Sequence, residues 1–464
     1  MIEVYDPGNN ELVGTVPSAS REDVEHVLAR ASNACDIARA MPTHLRMSVL
    51  RQVAEQVLNR HEEFARVIAR EGVKTLREAR KEVSRCVETL KISAEEARRL
   101  GGETIAFDQM PGSENRLGYF KRVPVGVVVA ITPYNDPLNL VAHKIGPAIA
   151  AGNAVILKPH SSTPLSARRL VELFEATELP TGVLQLITGP GAVIGDKLVS
   201  DPRVRMVSFT GGPVVGHKIL TQAGLKKISM ELGSNCPTIV MGDADMESAL
   251  AATVSGAFWA AGQNCLHVQR IIIQKDHFED FSNRFVERTR RLKVGDKMDE
   301  TTDMGPLISD AATLKVSEFV QDAVARGARI LTGGDCDGRY YQPTVLDHVS
   351  ADCLISKEEV FGPVVALYAF REIQEAIHLA NNVDYGLQAG VFTRDLATAH
   401  RIADALNCGG VMINDSSDYR IDAMPFGGTR SSGLGREGVA HAIHEMTDLK
   451  TYCFNLQHTN GEAD

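Results

Sequence analysis

The chain has 464 residues, 44% of them hydrophobic and 23% charged, which is more than one hydrophobic core ordinarily holds, so about three lobes are expected. Its 49 Lys and Arg against 59 Asp and Glu give a net charge of −10, which excludes the basic face of a nucleic-acid binder. Any anionic ligand must therefore be met by local cations.

No apolar run approaches the roughly 18 residues of a membrane span, and the start MIEVYDPGNN lacks a basic segment followed by an apolar one. Neither a membrane partner nor a nucleic-acid partner is expected. The eight cysteines show no CxxC pair and no metal-ligand spacing, so no metal is expected, and reduced thiols in a cytoplasmic compartment are. From Arg46 to Arg70 and from Arg77 to Leu100, apolar residues recur every three to four positions and predict helices. After Arg122 the texture changes. VPVGVVVAI, NAVILKP, VLQLITG and VRMVSFTGG read as strands, alternating with the helical runs LVAHKIGPAIAAG, SARRLVELFEAT and GAVIGDKLVS. Strand–helix alternation with glycine at the strand ends predicts an α/β fold with a parallel sheet, whose ligands gather at the carboxyl ends of the strands. A second alternating region follows Glu231, with RIIIQ, ARILTGG and VVALYAF as strands. Glu103 to Arg122 and Leu449 to Leu456 read as a leftover β ribbon, whose exposed edges are natural oligomer contacts.

Several residues could carry chemistry. Cys265, in AAGQNCLHVQR, follows Gly262 by three, as though backbone there must pass close to something. Taken alone, a single cysteine is structural more often than catalytic. His267 is the eye-catching partner, but a residue two positions on does not share its face in a helix, and Cys/His pairs normally come from distant segments. Glu231 closes the apolar run KKISMEL, and a carboxylate at a buried strand end is placed to act as a general base. In ITPYNDPL, Asn135 either caps a helix opening at Pro137 or donates its amide to an oxyanion. Lys158 carries a cation to a strand end, and FTGG opens a helix as a phosphate-cradling turn would.

The ordered set ITPYNDPL, LKPHSSTP, VSFTGG, MELGSNCP, GQNC, EEVFGPV and MPFGG…SGLGREG resembles the aldehyde dehydrogenase superfamily over essentially the whole chain. That resemblance implies a Rossmann-like cofactor domain (1–102 and 123–232), an α/β catalytic domain (233–446) and a β oligomerisation arm (103–122 and 447–464), in a homodimer or homotetramer. It also implies that Cys265 attacks the aldehyde to give a thiohemiacetal, with Asn135 and the Cys265 N–H holding the oxyanion. Glu231 would then activate the water that hydrolyses the thioester. For the cofactor it implies Lys158 on the adenosine ribose and Gly191, Gly195, Phe209, Thr210, Gly211 and Gly212 around adenine and diphosphate. Glu359 and Phe361 would hold the nicotinamide ribose and ring, and Ile131, Thr132, Pro133, Tyr134, Val215, Leu232 and Gly233 complete the wall. The presence of Glu231 favours release of the free acid over transfer to coenzyme A. Ser161 stands where strictly NAD-dependent relatives often carry a glutamate that would repel a 2′-phosphate, so NADP is expected to be accepted and slightly favoured over NAD.

For the substrate, Asp136, Asn139 and His143 fall on one helical face, polar where relatives that oxidise apolar aldehydes are apolar. Arg85 lies on the helix that walls the tunnel in the family, and Arg420 lies in the loop before PFGG. Two guanidiniums and a histidine suit an anionic tail. INDSSDYRIDAMPFGG most resembles the lactaldehyde and phosphonoacetaldehyde branch, making 3-sulfolactaldehyde, phosphonoacetaldehyde, lactaldehyde and glyceraldehyde 3-phosphate the expected candidates. Succinate semialdehyde or a broad range of aldehydes is the alternative, and a catalytically silent binding homologue the alternative of another kind. Asn264 departs from phosphonoacetaldehyde-oxidising relatives, which carry arginine just before the cysteine.

Overall fold

The computed structural model describes residues 1–456. Two sheets organise the chain. The first runs Gly433–Leu434, Lys227–Glu231, Val204–Thr210, Val127–Ile131, Ala154–Lys158, Leu184–Leu186. All its neighbours are parallel except Gly433–Leu434, which pairs antiparallel with Met230 and Glu231. Val127 to Ala130 are fully buried because helices cover both faces, and that is why the run reads as unbroken apolar residues. The second sheet has seven strands in the order Arg329–Thr332, Thr344–Asp347, Val364–Phe370, Val268–Gln274, Cys236–Val240, Gln388–Phe392, Gly410–Ile413. Here only the first pair is antiparallel.

After a first helix, Arg21–Ala40, the charged segment from Thr43 to Ala97 is three helices where two were expected. Thr43–Asn59 and His61–Glu71 are separated at Arg60, whose φ of −110° and ψ of 25° leave the helical region. Leu76–Ala97 follows, and it packs on Thr43–Asn59, His61–Glu71 and the helix Asn139–Ala151. A capping box at Thr75 and Glu78 fixes its start. The ribbon is a three-stranded antiparallel sheet in which Thr447–Asn455 pairs with Arg116–Pro124 and then Gly102–Thr104. Residues 457–464, included in the expected arm, lie outside the described residues. Among the described residues, no helix is long and apolar enough to cross a membrane.

Candidate active site

Cys265 lies on the loop that enters the strand Val268–Gln274. That loop is made by left-handed backbone. Ala260, Ala261 and Gly262 all have positive φ (49°, 54° and 69°). Each L-residue there costs about 1–2 kcal/mol, so the surroundings must impose the turn. They do so from three sides. Glu78 accepts the Ala260 N–H at 2.9 Å, and the buried Gln263 donates to the Ala260 and Pro306 carbonyls at 3.0 and 3.2 Å. A Cβ at Gly262 would fall 2.2 Å from the Gly362 carbonyl oxygen. Beyond the turn, the Ser234 hydroxyl donates to the Cys265 carbonyl and Ser417 to the Leu266 carbonyl at 2.9 Å. Among the described residues, the Cys265 N–H meets no protein acceptor. His267 is held away from this chemistry, its ring hydrogen-bonded to the Ala257 backbone and its pKa pushed down by burial to about 3.

Two cavities meet at the thiol. The larger, about 600 Å³, runs along the carboxyl ends of the first sheet and is lined by Ile131, Thr132, Pro133, Tyr134, Lys158, Ser161, Phe209, Thr210 and Gly211. Val215, Leu232, Gly233, Glu359 and Phe361 continue the lining, together with Gly191, Gly195 and Gly212. A Cβ on any of the last three would meet nothing within 4 Å, so bare backbone faces the cleft there. Gly212 also opens the helix Pro213–Ala223, whose first N–H groups suit a phosphate. Lys158 is buried, donates to the Pro159 carbonyl at 3.2 Å, and has its pKa lowered by burial to about 8. Ser161 donates to the Gly189 carbonyl at 3.2 Å and presents no charge. A buried cation, open glycines and a helix start fit a dinucleotide with phosphate and ribose at this end. Glu359 accepts the Ser234 N–H at 2.7 Å, and burial raises its pKa to about 7. Tyr134 packs edge-on against Phe361 (centroids 5.9 Å apart) and against His160 (5.4 Å), a cleft residue inside LKPHSSTP that had been given no role.

Glu231 also lines this cleft. It is buried, neither carboxylate oxygen has a hydrogen-bond partner among the described residues, and burial and the neighbouring Glu437 raise its pKa well above the carboxylate range. Against that same burial, Lys144 and Arg420 hold Glu437 ionised, at 3.0 and 3.3 Å. Burial likewise pushes the Cys265 thiol up, opposed by the charge of Arg420.

The smaller cavity, about 320 Å³, opens on the other side of Cys265. Asn135, Leu140 and Cys265 line both spaces. Asn135 does not cap the following helix. That helix begins at Asn139, and Glu82 from the neighbouring helix accepts the Leu138 and Asn139 N–H groups at 2.7 and 3.0 Å. The amide of Asn135 is thereby left at the junction.

Arg85, Arg420 and Asn264 line the smaller cavity; Asn139 and His143 do not. Those two are buried behind the wall and grip Asp422, Asn139 through its amide at 3.2 Å and His143 through Nε2 at 2.8 Å. The face predicted for substrate contact turns inward because the helix Leu76–Ala97 packs on it. Burial and the charge of Arg420 lower the His143 pKa, so the ring is neutral and donates from Nε2. Asp422 in turn holds Arg85 at 2.8 Å. The sequence reading missed Lys74, Glu82, Asp418 and Asp422. Part of the signal was available, since Glu78, Glu82, Arg85 and Thr89 recur at helical spacing in an otherwise buried stripe.

The sequence profile described as "Aldehyde dehydrogenase family" matches residues 1–452. The chain is 50% identical to aspartate-semialdehyde dehydrogenase 1 of Pseudomonas canavaninivorans, over 98% of this chain and 97% of that one. It is 46% identical to 3-sulfolactaldehyde dehydrogenase of Priestia aryabhattai, over 98% and 95%. The crystal structure of glyceraldehyde-3-phosphate dehydrogenase GapN from Methanocaldococcus jannaschii, complexed with NADP, superposes with a TM-score of 0.94 at 39% identity, covering 98% of this chain and 99% of that one.

Proposed function

Because the chain belongs to the aldehyde dehydrogenase family and is an NAD(P)-dependent, aldehyde-oxidising enzyme, we propose that it turns a short aldehyde with a charged or strongly polar tail into the free acid by way of a Cys265 thioester. The observation that carries this reading is the junction. Cys265 lies on the shared wall of a dinucleotide-sized cleft and a small charged cavity, with Asn135 beside it and Glu231 in the cleft.

Cys265 Sγ adds to the aldehyde carbon, and the oxygen that gains charge is received by the Asn135 amide and the free Cys265 N–H. Bound NAD(P) supplies the hydride acceptor that converts the thiohemiacetal to a thioester. Glu231, with both oxygens unpartnered, takes the proton of the attacking water, and collapse expels the Cys265 thiolate and the acid. Lys158 and Ser161 favour NADP, because the ribose end offers a buried cation and a hydroxyl where an acid would repel a 2′-phosphate. Arg420 and Arg85 receive the tail, for which 3-sulfolactaldehyde, lactaldehyde, glyceraldehyde 3-phosphate, phosphonoacetaldehyde and succinate semialdehyde are the candidates. The three-stranded arm, with Leu117, Tyr119, Leu449 and Phe454 exposed, supports a homodimer or homotetramer. Eight free cysteines suit a reducing, cytoplasmic setting.

The test is formation of NADPH or NADH by the purified protein with a panel of these aldehydes and propanal. Charged-tail aldehydes should give the highest kcat/KM, and equal turnover of propanal would overturn the tail assignment.

A further inference from the structure

Asp422 is buried behind the wall of the smaller cavity and does not line it, whereas Arg85, Asp136 and Lys74 do. Its two carboxylate oxygens face different neighbours. Oδ1 accepts from Asn139 Nδ2 at 3.2 Å, from His143 Nε2 at 2.8 Å and from Arg85 Nη2 at 2.8 Å. Among the described residues, Oδ2 is met only by Arg85 Nε, at 3.4 Å. The guanidinium is thus gripped as a fork along its Nε–Nη2 edge.

The grip is itself anchored. Thr89, one turn on from Arg85 in the helix Leu76–Ala97, donates to Asn139 Oδ1 at 2.9 Å, which leaves the Asn139 NH₂ for Asp422. His143 Nδ1 has no partner among the described residues, so the strong bond of that ring is the one from Nε2 to Asp422. The opposite edge of Arg85 is less committed. Nη1 reaches Asp136 Oδ2 at 3.5 Å, the outer limit of a hydrogen bond, and Asp136 is already bound by Lys74. An arginine loses much rotamer freedom when it takes a ligand, and here that ordering is imposed before any ligand arrives. Released from Asp422, the guanidinium would have a second carboxylate within reach, and turning its fork onto Asp136 would withdraw it from the tail.

We propose that Asp422 is a positioning residue for substrate selection: by holding the Nε–Nη2 edge of Arg85 it presents the Nη1 edge to the anionic end of the aldehyde tail. The inference rests on the reading of this cavity as the tail pocket, and it gives a residue that touches no substrate a share in choosing one. It also accounts for Asn139 and His143. Helical spacing placed them at the substrate and the fold places them one layer behind, where they hold the residue that holds Arg85.

The experiment uses Asp422→Asn, which separates positioning from folding. The three donors on Oδ1 keep their acceptor, while an NH₂ replaces Oδ2 and sets donor against donor at Arg85 Nε. KM and kcat are measured on the purified enzyme at saturating cofactor, for propanal and for the charged-tail aldehyde with the highest kcat/KM. The ratio of KM for the charged tail to KM for propanal should rise about fivefold, with kcat moving much less than KM. In an Arg85→Ala background the same substitution should change that ratio by less than about twofold, because the group it positions is gone. A ratio within one preparation is not distorted by a partly unfolded fraction. If Asp422 instead competes with the tail for Arg85, Asp422→Asn lowers the ratio and the proposal is overturned. An unchanged ratio, or a rise that persists without Arg85, overturns it equally. Each of these outcomes leaves the tail pocket standing when the wild-type enzyme prefers charged tails. Equal use of propanal by the wild-type enzyme, or no reduction of NAD or NADP with any aldehyde, overturns the tail reading and the proposal together.

Discussion

The cleft on one side of Cys265 is walled by backbone glycines and apolar side chains, with three cations (Lys158, Lys218, Lys315) and three carboxylates (Asp196, Glu231, Glu359) spread along it, whereas the cavity on the other side holds four cations and four carboxylates in about half the volume. The first is built from short local signals: a strand end, a glycine turn, a helix start. The second is built from charges delivered by distant segments, with Lys74, Arg85, Asp136, Asp418 and Arg420 meeting only in the folded chain. A nucleotide is a constant ligand that backbone can cradle, while a variable tail must be read by side chains. The consequence is that damage on the cleft side should act on every aldehyde alike, and damage on the cavity side should depend on the tail.

The largest effect tests the shared point. Cys265→Ala should lower turnover by at least about 10³-fold for charged and uncharged aldehydes equally. Glu231→Gln should lower steady-state turnover by about 10²-fold yet leave a burst of reduced cofactor close to one per site, because thioester formation precedes the step it serves. A burst that vanishes for one tail only would erase the division between the two sides. Next comes Gly262→Ala. Its Cβ would meet the Gly362 carbonyl oxygen at 2.2 Å, and the φ of 69° adds strain. About a tenfold or greater loss in kcat is expected with any aldehyde, with thermal unfolding lowered by several degrees.

The arginines sharpen the comparison. Arg420→Ala should raise KM about 10- to 100-fold for a charged-tail aldehyde and only a few-fold for propanal. Arg85 is divided between two carboxylates, Asp422 and Asp136, where Arg420 has one, Glu437, so Arg85→Ala should act more weakly, by roughly tenfold or less. An effect on propanal as large as that on the charged tail would place both residues in the scaffold instead of the tail pocket.

How much of this was legible before folding follows the same division. The α/β alternation, the strand runs and the glycine turns lie in contiguous stretches, and local pattern identified them. Every residue quoted for the cofactor side lines the larger cleft. Asn139 and His143 were read as substrate contacts because helical spacing shows which residues share a face but not what that face packs against. Here it packs on the helix Leu76–Ala97 and on Asp422. Gln263 had no role in the sequence reading and is a buried clamp, since a polar side chain with its bonds satisfied looks in sequence like one facing water. Asp418 carried no local mark at all. Its neighbours are the amide of Asn264 and the charges of Arg85 and Lys74, all more than a hundred residues earlier.

The smallest predicted effect bears on the cofactor. Burial of Lys158 lowers its pKa to about 8, so its charge is present below that pH and is lost as pH rises through it. On the proposed reading the 2′-phosphate of NADP would use this charge, whereas NAD has only a hydroxyl there. KM for NADP should therefore rise a few-fold between about pH 7.5 and 9 while KM for NAD stays nearly flat over the same range. The rate at saturating cofactor should climb meanwhile, because Cys265 and Glu231 both have raised pKa values and act deprotonated. The two trends run in opposite directions, so they separate in a pH series of kcat and KM measured with both cofactors. Lys158→Met should remove the NADP trend and leave the climb in rate. If KM for NADP stayed flat in the wild-type enzyme, the 2′-phosphate would have to be held by groups other than Lys158, and Lys218 and Lys315 line the same cleft.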